Sequence, residues 1–141
     1  MTGAGSASVA SLDTNVLVRF LVEDDTAQLA AARRLVRQAV NADEPLWVPL
    51  TVALELEWVL RAGFGFGKPE VMRTYSQLLS TRELRFQDEG VIETTLALYG
   101  DSHADFSDCM HIALAGHAGQ PPLWTFDKAA AKVAGARRLS A

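Results

Sequence analysis

Four carboxylates in this chain stand in apolar surroundings, where an acid is costly to bury unless something positive meets it. Asp13 and Asp127 each follow a short apolar run, whereas Glu55 and Asp108 lie within longer, largely apolar stretches. Hard divalent cations are bound by oxygen ligands, and carboxylates are the strongest of these in proteins. Four such acids along one domain therefore predict convergence on a hard cation, and that cation is the best clue to function.

Three of these four acids also have an ordinary structural explanation. Asp13 could form an Asx turn after a strand, and Asp127 could cap the last helix. Asp105 could cap the helix that contains Asp108, with Asp108 in a capping-box position. Capping alone is less plausible for the whole set, because two acids follow strands and two lie on flanking helices. That pattern places them near the carboxyl ends of a sheet, where α/β proteins build their sites.

Short apolar runs alternate with longer amphipathic ones along the chain, which is typical of an α/β protein with a mainly parallel sheet. We expect four to five short strands flanked by about seven helices, and no internal repeat. The predicted strands are 9–12, 46–48, 84–86, 123–126 and 137–139. The predicted helices are 15–22, 26–40, 51–62, 69–79, 89–99, 107–118 and 128–134.

The composition predicts one compact domain, because the chain has 141 residues, of which 49% are hydrophobic and 21% charged. Charges interrupt every apolar run well before the roughly 18–20 residues that a membrane span needs, so we expect a cytoplasmic protein without a membrane segment. A net charge of −4 does not by itself indicate nucleic-acid binding. The single cysteine, Cys109, is expected to be a small buried side chain, not a nucleophile.

Helical spacing separates Glu55 from its neighbour Glu57. Glu55 shares a face with Trp58, whereas Glu57 lies about 200° around the helix. Arg61 stands four residues after Glu57, which is the spacing of a helical ion pair. We therefore expect Glu57 to be solvated and paired with Arg61, and Glu55 to belong to the site.

Four segments together resemble PIN-domain proteins, and specifically VapC-type toxins. They are Leu12-Asp-Thr-Asn-Val-Leu-Val-Arg-Phe-Leu21, Glu55-Leu-Glu-Trp-Val-Leu60, Ala104-Asp-Phe-Ser-Asp-Cys-Met-His-Ile-Ala113 and Trp124-Thr-Phe-Asp127. No single motif is decisive, but their order and separations are specific, and the resemblance covers most of residues 9–139. It implies a three-layer PIN-like α/β fold over residues 8–141, with residues 1–7 as a disordered extension. Glu57 departs from the family pattern, which usually has an apolar residue there.

The resemblance also implies a function, that of a Mg²⁺- or Mn²⁺-dependent endoribonuclease acting as the toxin of a VapBC-type toxin–antitoxin system. Asp13, Glu55, Asp108 and Asp127 match the family's acidic quartet of catalytic metal ligands. Three further residues match supporting positions of the same pocket, namely Asn15, Asp105 and Thr125. The implied partners are substrate RNA, a VapB-like antitoxin and a second copy of the chain in a homodimer. Whether one or two metal ions act remains open.

Basic and histidine side chains give weaker signals. Candidate phosphate contacts are Arg19, Arg61, Lys68, Arg82 and Lys128, although such residues are usually solvated surface. His111, three residues after Asp108, is a possible ligand but is expected to be an ordinary helix histidine. The run Gly63-Phe-Gly-Phe-Gly-Lys68 lacks the Ser or Thr of a phosphate loop and follows a helix, so it predicts a helix stop.

Three other functions remain as alternatives. A PIN nuclease that processes RNA without a toxin role is the nearest, and a neighbouring antitoxin gene would separate the two. A phosphatase or receiver domain could use Asp13 as phosphoacceptor, but Asn15 stands where dehalogenase-type enzymes need a second Asp. A catalytically silent binding module would tolerate the loss of an acid, yet all four are present.

Overall fold

The computed structural model describes residues 10–22 and 26–141. The chain divides into two compact units, Met1–Gln87 and Asp88–Ala141. We describe each unit by itself.

The first unit is a three-stranded parallel sheet with helices between its strands. The strands β1 (Ala10–Ser11), β2 (Leu46–Val48) and β3 (Leu84–Phe86) pair in the order β1-β2-β3. The helices are α1 (Thr14–Leu21), α2 (Thr26–Ala42), α3 (Leu50–Trp58) and α4 (Lys68–Leu79). Each parallel connection passes through at least one helix, as a parallel crossover requires.

The third helix continues directly into a π-helical turn, Val59–Gly63, and then stops. Gly65 has φ +73°, a left-handed conformation that glycine adopts without the penalty of a Cβ atom. The Gly67 N–H donates to the Glu70 carboxylate at 3.0 Å as α4 begins. The glycine-rich run is therefore the helix stop predicted from the sequence.

The core of the first unit lies between its sheet and its helices. Leu17, Val48, Leu56 and Tyr75 are fully buried, and the Tyr75 hydroxyl donates to the Ala53 carbonyl at 2.5 Å. That hydrogen bond gives the buried phenol a partner, which such a group needs. It also joins α4 to α3, the helix that carries Glu55.

The second unit contains two packed helices, a short third helix and a two-stranded parallel sheet. The helices are α5 (Glu89–Asp101), α6 (Phe106–His117) and the short α7 (Lys128–Ala131). The strands are β4 (Leu123–Thr125) and β5 (Ala136–Arg138). Tyr99 of α5 meets Phe106 of α6 edge to face, with ring centroids 5.2 Å apart.

Gly135 sets how the chain enters β5. Its φ is +97°, and a Cβ atom built there would lie 3.1 Å from Ile112 Cγ2 of α6. A larger residue would therefore be strained and would also crowd the buried face of α6. The helix α7 ends at Ala131, three residues before the predicted end of the last helix.

The predicted α/β class and the order of all five strands and seven helices are confirmed over the described residues. The hydrogen bonds of those residues pair the strands in two parallel sheets, of three and of two strands. Cys109 is fully buried, as predicted. The predicted extension 1–7, the first residue of the predicted strand 9–12 and residues 23–25, between the first two predicted helices, lie outside the described residues. None of the helices in the described ranges is both long and apolar enough to span a bilayer.

Candidate functional site

Asp13 begins α1 in the first unit. Its backbone is extended, and its Oδ1 accepts a hydrogen bond from the Val16 N–H at 3.0 Å. The turn or cap considered from the sequence therefore exists. A carboxylate has two oxygens with about four acceptor sites, so one cap bond leaves most of that capacity for another ligand. The side chain is exposed, so a ligand from solution can reach it.

Glu55 is held by a residue that the sequence reasoning did not single out. Thr14, only 5% exposed, donates its hydroxyl hydrogen bond to Glu55 Oε1. The bond joins α1 to α3 and fixes one carboxylate oxygen of an otherwise exposed side chain. A buried hydroxyl needs a partner, but the burial of Thr14 is visible only in the structure. Thr14 is thus a positioning residue for Glu55.

Asn15 and Arg19 line one groove together with Asp13. The groove encloses about 350 Å³ between α1 and α2, and Gln28 lies on its α2 side. The structure therefore places the predicted supporting residue Asn15 beside Asp13. It also places a guanidinium in that groove, which is suited to a phosphate because its donors form a planar fork.

The prediction for Glu57 was right about its partner and wrong about its environment. Arg61 Nε donates to Glu57 Oε2 at 2.8 Å, but Glu57 is only 5% exposed. The fully buried Leu56 and Leu60 lie on the same side of the helix, whereas Trp58 is 60% exposed. Because α3 is apolar on most sides, the sequence pattern did not show which face turns inward. The pairing with Arg61 offsets the cost of burying the Glu57 carboxylate.

In the second unit, the charges of Asp105 and Asp127 act on the carboxylate of Asp108. Burial raises the pKa of Asp108 above its ordinary value of 3.8, and the nearby charges of Asp127 and then Asp105 raise it further. His111 acts in the opposite direction and lowers the Asp108 pKa. A partly buried acid beside two like charges is a group that gains from a bound cation.

Asp105 occupies the N-cap position of α6, but its side chain makes no capping hydrogen bond. The predicted alternative, in which Asp105 and Asp108 serve only to cap this helix, is therefore not supported at Asp105. Its extended backbone still places the carboxylate before the first turn, where the helix dipole favours a negative charge.

Asp127 caps α7, as the structural explanation predicted. Its Oδ1 accepts from the Ala130 N–H at 2.8 Å, and its own N–H donates to Thr125 Oγ1 at 3.0 Å. The predicted supporting residue Thr125 thus fixes the backbone that carries Asp127. As with Asp13, the cap uses one oxygen and leaves the second without a capping bond.

The remaining basic candidates have different surroundings. Arg61 is engaged by Glu57, and Arg82 lines a separate cavity with Asp43. Lys128 is exposed and directly follows Asp127 at the start of α7. Arg19 and Lys128 are therefore the candidates that lie beside predicted site acids.

The donor chemistry suits Mg²⁺ or Mn²⁺, because carboxylate, amide and hydroxyl oxygens predominate at the predicted positions. The unrelieved repulsion at Asp108 is the structural observation in favour of a cation. In the conformation described, however, residues 10–22 and 26–141 contain no group of three or more His, Cys, Asp or Glu side chains that could hold a metal ion.

Comparison with known families gives the class of this chain. The family model of the PIN domain matches residues 10–136, and the chain belongs to that family. No curated protein gave a match. PIN domains are generally nucleases, which makes this chain a member of a hydrolase superfamily. PIN nucleases generally use divalent metals, in agreement with the oxygen donors described above.

Proposed function

We propose that this protein is a Mg²⁺-dependent endoribonuclease, with Mn²⁺ as a possible substitute, and the toxin of a VapBC-type toxin–antitoxin system. Asp13, Glu55, Asp108 and Asp127 are assigned as the catalytic metal ligands. Asn15, Asp105 and Thr125 are assigned as supporting residues, and residues 8–141 as one PIN domain. The family match supports the nuclease class, and the resemblance of the four sequence segments supports the toxin subgroup.

The observation that carries this proposal is the electrostatic state of Asp108. Its carboxylate is penalised by burial and by the charges of Asp127 and Asp105, with only His111 acting in the opposite direction. A merely structural acid would be expected to have a compensating partner. A divalent cation would remove the penalty on this group.

The chain's own residues would hold and orient the substrate. The Val16 N–H holds Asp13 at the start of α1, and the Thr14 hydroxyl holds Glu55, so both carboxylates are partly preorganised. Arg19, in the groove of Asp13 and Asn15, can bind a phosphate oxygen of RNA. When bound, Mg²⁺ supplies Lewis-acid stabilisation of developing negative charge and a more acidic water.

The proposed partners are substrate RNA, a VapB-like antitoxin and a second copy of this chain. An antitoxin arginine could replace the metal charge among the carboxylates, because a guanidinium binds a carboxylate in a bidentate manner. Co-expression with the product of an adjacent small gene should yield a complex without RNase activity. An active nuclease that binds no such product would favour the RNA-processing alternative. Light scattering should show a dimer at micromolar concentration, and a strict monomer would contradict the homodimer.

The decisive experiment is RNA cleavage by the purified protein with and without metal. We expect cleavage with Mg²⁺ or Mn²⁺, reversible loss in EDTA, and binding of Ca²⁺ without efficient turnover. Asp108→Asn should be inactive, whereas Glu93→Gln, which removes an exposed acid from α5, should retain activity. Undiminished cleavage in EDTA would contradict the metal-dependent mechanism. Sequencing the new RNA ends would identify the cleavage site.

A further inference from the structure

The short sheet of the second unit presents two exposed aromatic side chains. Trp124 in β4 is 53% exposed, and Phe126, directly after that strand, is 63% exposed. Large aromatic side chains are usually buried, so a neighbouring exposed pair indicates a surface with a binding role. Neither residue belongs to the acidic quartet or its supporting set.

A guanidinium lies over one of these rings. Trp124 and Arg137 are register partners in β4 and β5, and Arg137 Cζ lies 5.6 Å from the centroid of the Trp124 ring. This cation–π pair covers part of the indole while more than half of the residue stays exposed. The arrangement offers two flat surfaces, an indole and a guanidinium, on which an unpaired base can stack.

The charge around the aromatic pair is positive in an otherwise acidic protein. All Lys and Arg residues of the second unit lie between positions 128 and 138, whereas the whole chain has a net charge of −4. These basic residues, all exposed, are Lys128, Lys132, Arg137 and Arg138. The only acid from Leu123 to the end of the sequence is Asp127. Basic side chains beside exposed aromatic rings match the chemistry of a single nucleic-acid strand, whose phosphates and bases they bind respectively.

We propose that Trp124, Phe126 and Arg137 form a stacking platform for unpaired bases of the RNA substrate, with Lys128, Lys132 and Arg138 contacting the phosphates. This inference rests on the proposed ribonuclease function and extends it to the substrate, which must be single-stranded where it is bound. Trp124 and Phe126 alternate along the chain with the site residues Thr125 and Asp127. Because successive side chains of a strand point to opposite faces, the platform lies on the face opposite Thr125, in the same segment that supplies Asp127.

The test measures binding in EDTA, so that it does not depend on cleavage. The probe is a fluorescein-labelled single-stranded RNA of twelve uridines, and the readout is fluorescence anisotropy. Trp124→Ala should raise Kd roughly 5- to 150-fold, the range that corresponds to losing one stacked base. Trp124→Phe should keep most of the affinity. Leu114→Ala, which removes an exposed apolar side chain of α6, is the matched control and should not change Kd.

Two further probes separate stacking from charge. An oligonucleotide with abasic sites keeps its phosphates, so wild type and Trp124→Ala should bind it about equally. Arg138→Gln should weaken binding to both probes similarly and lower the salt dependence by about 0.7 in logarithmic slope, the value for one phosphate contact on a single strand. A fully duplex RNA should bind without dependence on Trp124.

An unchanged Kd for Trp124→Ala and Trp124→Phe, with normal circular dichroism, would overturn the platform. The same holds if Trp124→Ala dissociates a dimer while leaving RNA affinity intact, since the aromatic pair would then be a protein interface. Neither result affects Mg²⁺-dependent cleavage by the wild type. Conversely, a wild type that never cleaves RNA would refute the proposed function whatever the binding result in EDTA.

Discussion

Asp108 of the second unit differs from the predicted site acids of the first unit in how its carboxylate is held. In the first unit, neutral donors hold the carboxylates, since the Val16 N–H binds Asp13 and the Thr14 hydroxyl binds Glu55. In the second unit, Asp108 lies near other acids, and their charges together with burial raise its pKa. The hydrogen bonds of the first unit fix the geometry of Asp13 and Glu55. The charges around Asp108 instead repel its carboxylate, and a bound cation would relieve that repulsion.

This difference separates two properties of a metal ligand, namely how well it is oriented and how much it gains from binding a cation. Hydrogen bonds to neutral donors orient a carboxylate and support its charge, so they prepare it to bind at little further cost. Repulsion among carboxylates increases the gain on binding a cation but destabilises the protein without it. Substitutions of the donors that hold Asp13 and Glu55 should therefore change mainly the orientation of these carboxylates and their affinity for metal. Substitutions at Asp108 should change activity and stability in opposite directions.

The largest expected effect is the loss of RNA cleavage in Asp13→Asn and in Asp108→Asn. Each substitution replaces a proposed ligand by a neutral side chain, and we expect more than about a hundredfold loss, the upper range for outer-shell changes. Asn is as good an N-cap as Asp, so Asp13→Asn should keep the start of α1 intact. Circular dichroism should confirm the fold. A folded Asp13→Asn variant with full activity would refute the site assignment.

A smaller loss is expected when only the orientation of Glu55 is disturbed. Thr14→Val keeps the buried volume but removes the hydroxyl that binds Glu55, so we expect roughly a tenfold or greater drop in Mg²⁺ affinity and in activity at limiting Mg²⁺. Excess Mg²⁺ should recover part of the rate. Thr14→Ser keeps the donor and should retain affinity. If Ser fails as completely as Val, the methyl group of Thr14 matters and the hydrogen bond does not.

The pH dependence of stability tests whether the charge of Asp108 destabilises the folded protein. Its pKa is raised in the folded state, so its contribution to stability is fully present below the ordinary value of 3.8 and is lost as pH rises through the folded pKa. Asp108→Asn removes this penalty and should raise Tm at pH 7 without metal. The gain should shrink as pH falls toward 3.8. An equal or lower Tm at pH 7 would contradict the assigned repulsion.

Without metal, Asp108→Asn is expected to have a higher Tm than the wild type, and Mg²⁺ should reverse this order. Mg²⁺ binds the folded state and stabilises it by mass action, so it should raise the Tm of the wild type more than that of Asp108→Asn. The Glu93→Gln control should respond to Mg²⁺ as the wild type does. An equal response of all three proteins would indicate that Asp108 is not a ligand.

The periodicity of apolar residues was sufficient to predict the strands and helices that carry the site residues. The order of strands and helices follows from apolar spacing and from stop signals such as Gly65 and Gly67. Asp13 and Asp127 were also predictable as caps, because both follow a strand and precede a helix. Such local features depend on neighbours in the sequence, which the pattern displays directly.

Contacts between distant residues were not predictable in the same way. The bond from Thr14 to Glu55 joins residues 41 positions apart, and no spacing rule relates them. The burial of Glu57 depended on which side of a nearly all-apolar helix meets the core, so helical spacing predicted the correct partner, Arg61, and the wrong environment. The raised pKa of Asp108 arises from charges on separate elements and required the structure.

The smallest expected effect on cleavage is that of Asp105→Asn. Asp105 contributes less than Asp127 to the raised pKa of Asp108, and its side chain makes no capping hydrogen bond. We therefore expect a milder loss of cleavage than in Asp108→Asn, together with a partial fall of the Asp108 pKa. Activity against pH at several Mg²⁺ concentrations measures both, because a lower ligand pKa shifts the acid limb to lower pH. A loss equal to that of Asp108→Asn would indicate that Asp105 is a direct metal ligand. An unshifted acid limb would mean that its charge does not reach Asp108.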